Sequence, residues 1–256
     1  MTLIYYIIGL LGEVLLTAVY FIFRFLTILR NLFLKAPIGL TRVRNESGKG
    51  PILLIHGLNM DEVIMYWLRW RLLKDNWGPI YILNMGPLGW TVERQGELLR
   101  EVMASLYEKH GRINIIAHSM GGLVARHFIQ NLGGASQVYS LISLATPHIG
   151  TPLGYLSHSR PGRQLVPHGD LYRVLDPQSG LPATIRYRFF YSNLDLLVPT
   201  SWGAAKNQKN FAEYMEYIPF LGHATITASK RVYQRMLPYL VEAKDQHSLT
   251  AHQKTG

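Results

Sequence analysis

One short stretch constrains the fold more than any other. Ile113-Asn-Ile-Ile-Ala117 is a run of strand-forming residues, and Leu123-Val124-Ala125 opens a helical pattern. Only His118-Ser119-Met120-Gly121-Gly122 lies between them, so the chain must turn sharply from strand to helix at Ser119. A turn that tight strains the serine backbone and projects its Oγ beyond the sheet. It also brings strand and helix close together, which calls for small residues two positions before and after the apex. Ala117 and Gly121 stand there. Glycine is the usual residue at the first of these positions, and the methyl of Ala117 is the smallest departure from it. The competing reading makes Ser119 an ordinary helix N-cap.

Around this turn, apolar runs alternate with helical patterns. Strands are expected at Ile52–Ile55, Ile80–Leu83, Ile113–Ala117, Val138–Leu144, Thr184–Tyr191 and Phe211–Tyr217. Helices are expected at Glu62–Lys74, Val92–Glu108, Met120–Leu132 and Ser229–Val241. Strand and helix in alternation imply an α/β chain with a mostly parallel sheet of about six strands and helices on both faces. Ligands of such sheets sit at the carboxyl ends of the strands. The loops after Ile55, Ala117, Tyr191 and Tyr217 are therefore where chemistry is expected.

The segment before this unit is different. Leu3 to Phe23 is almost wholly apolar, with Glu13 its one formal charge, and is long enough for a single membrane span. Residues 1–35 are read as a membrane-anchoring helix, 36–50 as a Gly/Pro-containing linker, 51–242 as the catalytic unit and 243–256 as a polar tail. No basic region precedes the apolar run and no A-x-A site follows it, which argues against a cleaved signal. Glu13, Thr17, Tyr20, Arg24, Thr27 and Asn31 fall on one stripe of the helix. That stripe could face the catalytic unit, face a partner helix, or let the helix lie at the bilayer interface. Arg24, Arg30, Lys35, Arg42 and Arg44 all follow the run, placing the catalytic unit on the cytoplasmic side of a membrane, bacterial inner membrane being the expectation. The net charge of +10 suits a solvated basic face or an anionic membrane surface, and no nucleic-acid motif is present. With no cysteine, disulfides and thiolate metal sites are excluded.

The stretch A-H-S-M-G-G-L-V-A-R-H-F at 117–128 resembles the serine turn of bacterial triacylglycerol lipases and esterases, and S-L-A-T-P-H-I-G-T-P-L at 143–153 is similar to their next strand end. The resemblance runs from about Pro51 to Tyr239 and leaves out the N-terminal segment. It implies an α/β-hydrolase fold, ester cleavage through an acyl-enzyme on Ser119, and no cofactor. It also implies that the amide following His56-Gly57, that of Leu58, joins the Met120 amide in holding the oxyanion. The H-G-L form resembles that of enzymes favouring medium or long acyl chains. Some of these lipases carry a structural calcium, for which no ligands can be matched in this sequence.

A serine hydroxyl needs a base, and the base needs an acid to orient it. In this fold they follow the serine in the order acid, then histidine. Of ten histidines, His223, His247 and His252 come late enough, and the last two lie in the polar tail. His223 is the expected base. His56 precedes the serine and is read as orienting its loop. Among Asp170, Asp176, Asp195, Glu213 and Glu216, Asp195 follows the penultimate strand beside the histidine loop and matches the family's acid position, with Asp176 the alternative. Residues 148–182, rich in proline, form a long segment over the strand ends, expected to shape an acyl pocket as a lid. Leu153, Leu156 and Leu165 are the expected substrate contacts, unless they pack the core instead. The same site would serve an acyltransferase or a thioesterase, and a silent, membrane-bound interaction module is the rival of another class.

Overall fold

The computed structural model describes residues 2–33, 39–43, 48–58, 60–85, 89–175, 180–200 and 211–242. Among them a seven-stranded sheet runs in the order β1-β3-β2-β4-β5-β6-β7. The strands are β1 (Gly39–Val43), β2 (Ile52–Ile55), β3 (Ile80–Asn84), β4 (Ile113–His118), β5 (Val138–Leu144), β6 (Arg186–Tyr191) and β7 (Met215–Tyr217). All neighbours are parallel except β1, which pairs antiparallel with β3 at the edge. The edge strand β1 lies in the stretch read from its glycines and proline as a linker.

The central strands β2 to β5 are buried and mostly apolar because both faces are covered. On β2, Leu53 and Ile55 enter one core cluster while Ile52 and Leu54 enter the other. The first cluster packs under α3 (Val92–His110) and α4 (Met120–Asn131), through Leu99, Met103, Leu123 and Phe128. The second packs under α2 (Tyr66–Lys74) and α7 (Lys230–Met236), through Leu68, Leu72, Val232 and Met236. Local signals set the helix ends. Thr91 accepts a hydrogen bond from Arg94 N at the start of α3, and Gly111, at φ 71°, closes it. Pro238 breaks the last helix into α7 and a 3-10 turn at Leu237–Tyr239.

Asn114, fully buried on β4, is the one amide in this part of the core. It donates to the carbonyls of Pro51 and Val241 and accepts from Ser140 Oγ and Val241 N. That fourfold bonding ties the end of the described chain to three strands.

The chain before β1 forms α1 (Thr2–Phe33), whose described side chains are those of residues 3–18 and 22. The expected membrane span needs correction. Among the described residues, no helix is long and apolar enough to cross a membrane. The physical reason is visible at Glu13, midway along the apolar run. Its carboxylate accepts hydrogen bonds from the backbone of Ala224 and Thr225, so this part of α1 lies on the catalytic unit. Within the polar stripe, Glu13 and Thr17 are half-buried, whereas the side chains of Tyr20, Arg24, Thr27 and Asn31 lie outside the described residues.

Candidate active site

The turn after β4 has the strain that the sequence predicts. Ser119 stands at φ 53° and ψ −130°, a left-handed conformation that an L-residue adopts only under constraint. Neighbouring strands supply the constraint. Ser119 N donates to Leu144 O at 2.8 Å, and the Ser119 carbonyl accepts from Thr146 Oγ1 at 2.9 Å and Gly122 N at 3.0 Å. Gly121 is needed for close approach, since a Cβ there would lie 2.5 Å from the His56 carbonyl oxygen.

Around Ser119 Oγ the carboxyl edge of the sheet brings together residues far apart in sequence. His223 Nε2 lies 3.0 Å from Ser119 Oγ. On the other side of the ring, His223 Nδ1 lies 2.9 Å from Asp195 Oδ2 and 3.1 Å from Oδ1. Asp195 Oδ1 also accepts from the backbone N–H of Leu197 at 2.9 Å and Val198 at 2.8 Å, which fixes the carboxylate plane. All three side chains are buried, with Ser119 the most accessible at 8%.

Burial opposes protonation of His223. The Asp195 charge and its hydrogen bond, with a smaller contribution from Glu13, outweigh this and raise the imidazole pKa above its ordinary value. His118, next to the serine, is fully buried, and burial together with the nearby His223 holds its pKa well below the ordinary value. Its neutral Nε2–H donates to the His223 carbonyl at 2.8 Å. His118 and Thr146 were not singled out from sequence. Their positions flanking the serine and following β5 were the available signals.

The structure brings Ser119, Asp195 and His223 together. It also sets the His56-Gly57 loop against the serine, since a Cβ on Gly57 would stand 3.2 Å from Ser119 Oγ. Leu58 follows in that loop, and Met120 is the first residue of α4. His56 Nε2 accepts from Met85 N at 3.3 Å, and its Nδ1 lies 3.0 Å from the Gly57 carbonyl in its own loop.

The other acids lie elsewhere. Asp170 pairs with Arg173 on an exposed turn, and Glu216 pairs with Arg188 and Arg235. Glu213 sits on a 3-10 turn before β7, which is shorter than the expected Phe211–Tyr217. Asp176, His247 and His252 lie outside the described residues. Among the described residues, no group of three His, Asp or Glu side chains could hold a metal.

The segment over the strand ends contains a 3-10 turn at Pro152–Leu156 and the short helices α5 (Arg160–Arg163) and α6 (Asp170–Leu175). The expected substrate contacts divide here. Leu165 is buried in the core with Leu171, Tyr172 and Leu175, in keeping with the core-packing alternative. Leu153 and Leu156 remain exposed. Thr151 Oγ1 donates to the Leu197 carbonyl, joining this segment to the Asp195 loop.

Residues 51–240 match the palmitoyl protein thioesterase family. The chain belongs to that family. This family member is an ester hydrolase with an α/β-hydrolase fold. Solved structures agree on the fold. A mature lipase from Bacillus licheniformis superposes with a TM-score of 0.66 at 16% identity, covering 79% of this chain and 98% of that one. A thermophilic esterase from Thermogutta terrifontis gives 0.54 at 16% identity, covering 78% and 92%. Lipase B of Aspergillus fumigatus gives 0.59 at 16% identity, covering 71% and 48%.

Proposed function

We propose that this family member cleaves lipid-like acyl esters through a Ser119–His223–Asp195 triad. The observation that carries the reading is the continuous hydrogen-bonded line from Ser119 Oγ through the His223 ring to an Asp195 fixed by two backbone amides. His223 Nε2 takes the hydroxyl proton as Ser119 Oγ attacks the acyl carbonyl carbon. The amides of Met120 and Leu58 hold the resulting oxyanion. The intermediate collapses, the carbon–leaving-group bond breaks, and His223 returns the proton to the departing alcohol or thiol. Water, deprotonated by His223, then attacks the acyl-enzyme and releases the acid.

Exposed apolar side chains near the acid loop, Leu153, Leu156, Leu196 and Leu197, support an acyl chain as the group bound. Membership of a palmitoyl protein thioesterase family supports a second reading at the same site, in which the leaving group is a thiol. The outer face of α1, with Leu3, Ile7 and Leu11 exposed, supports work at a lipid surface rather than a span through it. The basic residues after the apolar run suit the anionic surface of a cytoplasmic leaflet, which protease protection of intact and broken cells tests.

The deciding experiment is a panel of matched oxygen esters and thioesters, with acyl chains of two to sixteen carbons, offered to the wild type and to Ser119→Ala. Activity peaking at long chains and reduced roughly 10⁴-fold or more in the variant is expected. Faster turnover of thioesters than of matched esters selects the thioesterase reading. Equal activity of the variant removes Ser119 from the chemistry.

A further inference from the structure

The reading just proposed accounts for what touches the His223 ring, but not for what holds the loop that carries it. Ala224 and Thr225, the two residues after His223, direct their backbone N–H groups to the two oxygens of Glu13. The distances are 2.8 Å to Oε1 and 2.9 Å to Oε2. This carboxylate comes from more than two hundred residues earlier and is the one formal charge of the apolar run 3–23. A plain membrane anchor has no use for it. The loop is shaped to receive it, because any Cβ at Gly222 would collide with the Glu13 carboxylate.

The contact extends to both sides of the triad. A Cβ at Gly9 would stand 2.9 Å from the Phe220 carbonyl oxygen, and the Phe220 ring lies between Tyr5, stacked at 5.7 Å, and Tyr6, edge-on at 5.0 Å. Phe220 itself takes a left-handed φ of 63°, a conformation its surroundings must enforce. On the acid side, Asn193 Nδ2 donates to Tyr6 Oη at 2.7 Å, while Asn193 Oδ1 accepts from Phe220 N at 2.7 Å. The N-terminal helix thus grips the loop before Asp195 and the loop around His223 together.

We infer that Glu13 is a positioning residue for the base, so that α1 is a working part of the active site and not only an attachment. The inference rests on His223 being the base. Glu13 fixes the His223 loop at the two peptides beyond the ring, complementing the His118 bond to the His223 carbonyl. Its negative charge also favours the protonated ring. The groups facing the imidazole are Asp195 from the loop after β6, His118 from β4 and Glu13 from α1. Arg231 on α7 is occupied at the Pro219 carbonyl, and His56 acts on His118. Of the facing groups His118 stays neutral, so Asp195 and Glu13 are the charges that favour the protonated ring.

The test compares full-length wild type, Glu13→Gln, Glu13→Ala and His223→Ala. It measures kcat/KM for p-nitrophenyl octanoate across pH and titrates the His223 ring by NMR. Glu13→Gln keeps the shape, loses the charge, and can accept only one of the two N–H groups with its amide oxygen. It should lower kcat about 10-fold with KM little changed. The acidic limb of kcat/KM and the NMR titration of His223 should both move to lower pH. Glu13→Ala should lose more activity and move the limb in the same direction; if it fails to fold, the isosteric glutamine variant carries the test. Loss of thermal stability with kcat, limb and titration all unmoved would make Glu13 merely structural and overturn the inference. Full activity in His223→Ala would overturn the triad itself, and with it this inference, whereas an inactive His223→Ala beside an unchanged Glu13→Gln overturns the inference alone.

Discussion

Replacing Asp195 by asparagine should disable the site without disturbing it, and the structure dictates how. Asp195 Oδ1 is held by two backbone donors, Leu197 N and Val198 N, while Oδ2 faces His223 Nδ1 at 2.9 Å. An asparagine has one acceptor and one donor end. The two N–H groups at the Oδ1 position accept only an oxygen there, so the new NH₂ must take the place of Oδ2 and point at Nδ1. Nδ1 can meet that donor only as an acceptor, which moves the ring proton to Nε2. Nε2 then donates to Ser119 Oγ across 3.0 Å instead of accepting its proton. The expected cost is that of a base held in the wrong tautomer, about 10⁴-fold in kcat, or about 5 kcal/mol of transition-state stabilisation. Steady-state kinetics on a long-chain p-nitrophenyl ester measure it, with circular dichroism and thermal melting confirming an intact fold. Because both loop N–H bonds survive, the melting temperature should shift by no more than a few degrees. A folded variant losing less than 10-fold would refute Asp195 as the orienting acid. A parallel loss of fold and activity would instead refute the claim that the loop N–H groups fix the amide.

The raised His223 pKa predicts a pH profile. The ring must be neutral to act as base, so activity should fall as pH drops through a pKa above the ordinary histidine value, and kcat/KM between pH 5 and 9 locates that limb. Gly121→Val should push α4 away from the His56 carbonyl, opening the serine turn and lowering kcat about 10²-fold or more, as fluorophosphonate labelling rates would register. Asn114→Ala leaves Ser140 Oγ and both backbone groups of Val241 without their side-chain partner in the core, at about 1–3 kcal/mol for each buried group left unsatisfied. Urea unfolding should show a loss of roughly 3–9 kcal/mol, with the acyl preference of any folded fraction unchanged. Arg126 is fully buried, donating to the His148 and Leu175 carbonyls and stacking over Phe211, so Arg126→Met should free those carbonyls and expose the 148–175 segment to limited proteolysis.

Much of this was legible in the sequence because it is local. The turn at Ser119 announces itself through a β-branched run, two small residues and the start of a helix, and these signals concern a dozen neighbouring positions. Strands β2, β4 and β5 are rich in Ile, Leu and Val, and their expected and observed limits agree within a residue. Elsewhere tertiary contacts override the local signal. Phe211 satisfies β propensity but drops into the core against Phe189 and the buried Arg126, so β7 begins only at Met215. The stretch 39–43 carries too little apolar character to suggest a strand, yet its backbone completes the β3 edge.

The N-terminal segment shows where periodicity runs out. Spacing along the helix identified a polar stripe with Glu13 on it, which says which way a helix faces but not what it faces. Composition alone made the most apolar stretch a membrane span. What decides otherwise is a contact between residues 13 and 224, and nothing local at position 224 announces an acceptor from the other end of the chain. Gly222 is the nearest thing to a signal, a small residue directly before the base, and its meaning appears only once the Glu13 carboxylate is seen filling the space a side chain would need. Carboxylate and glycine therefore form one device. A change at either position should be felt at His223, and α1 cannot be pulled fully into a bilayer without releasing the loop that holds the base.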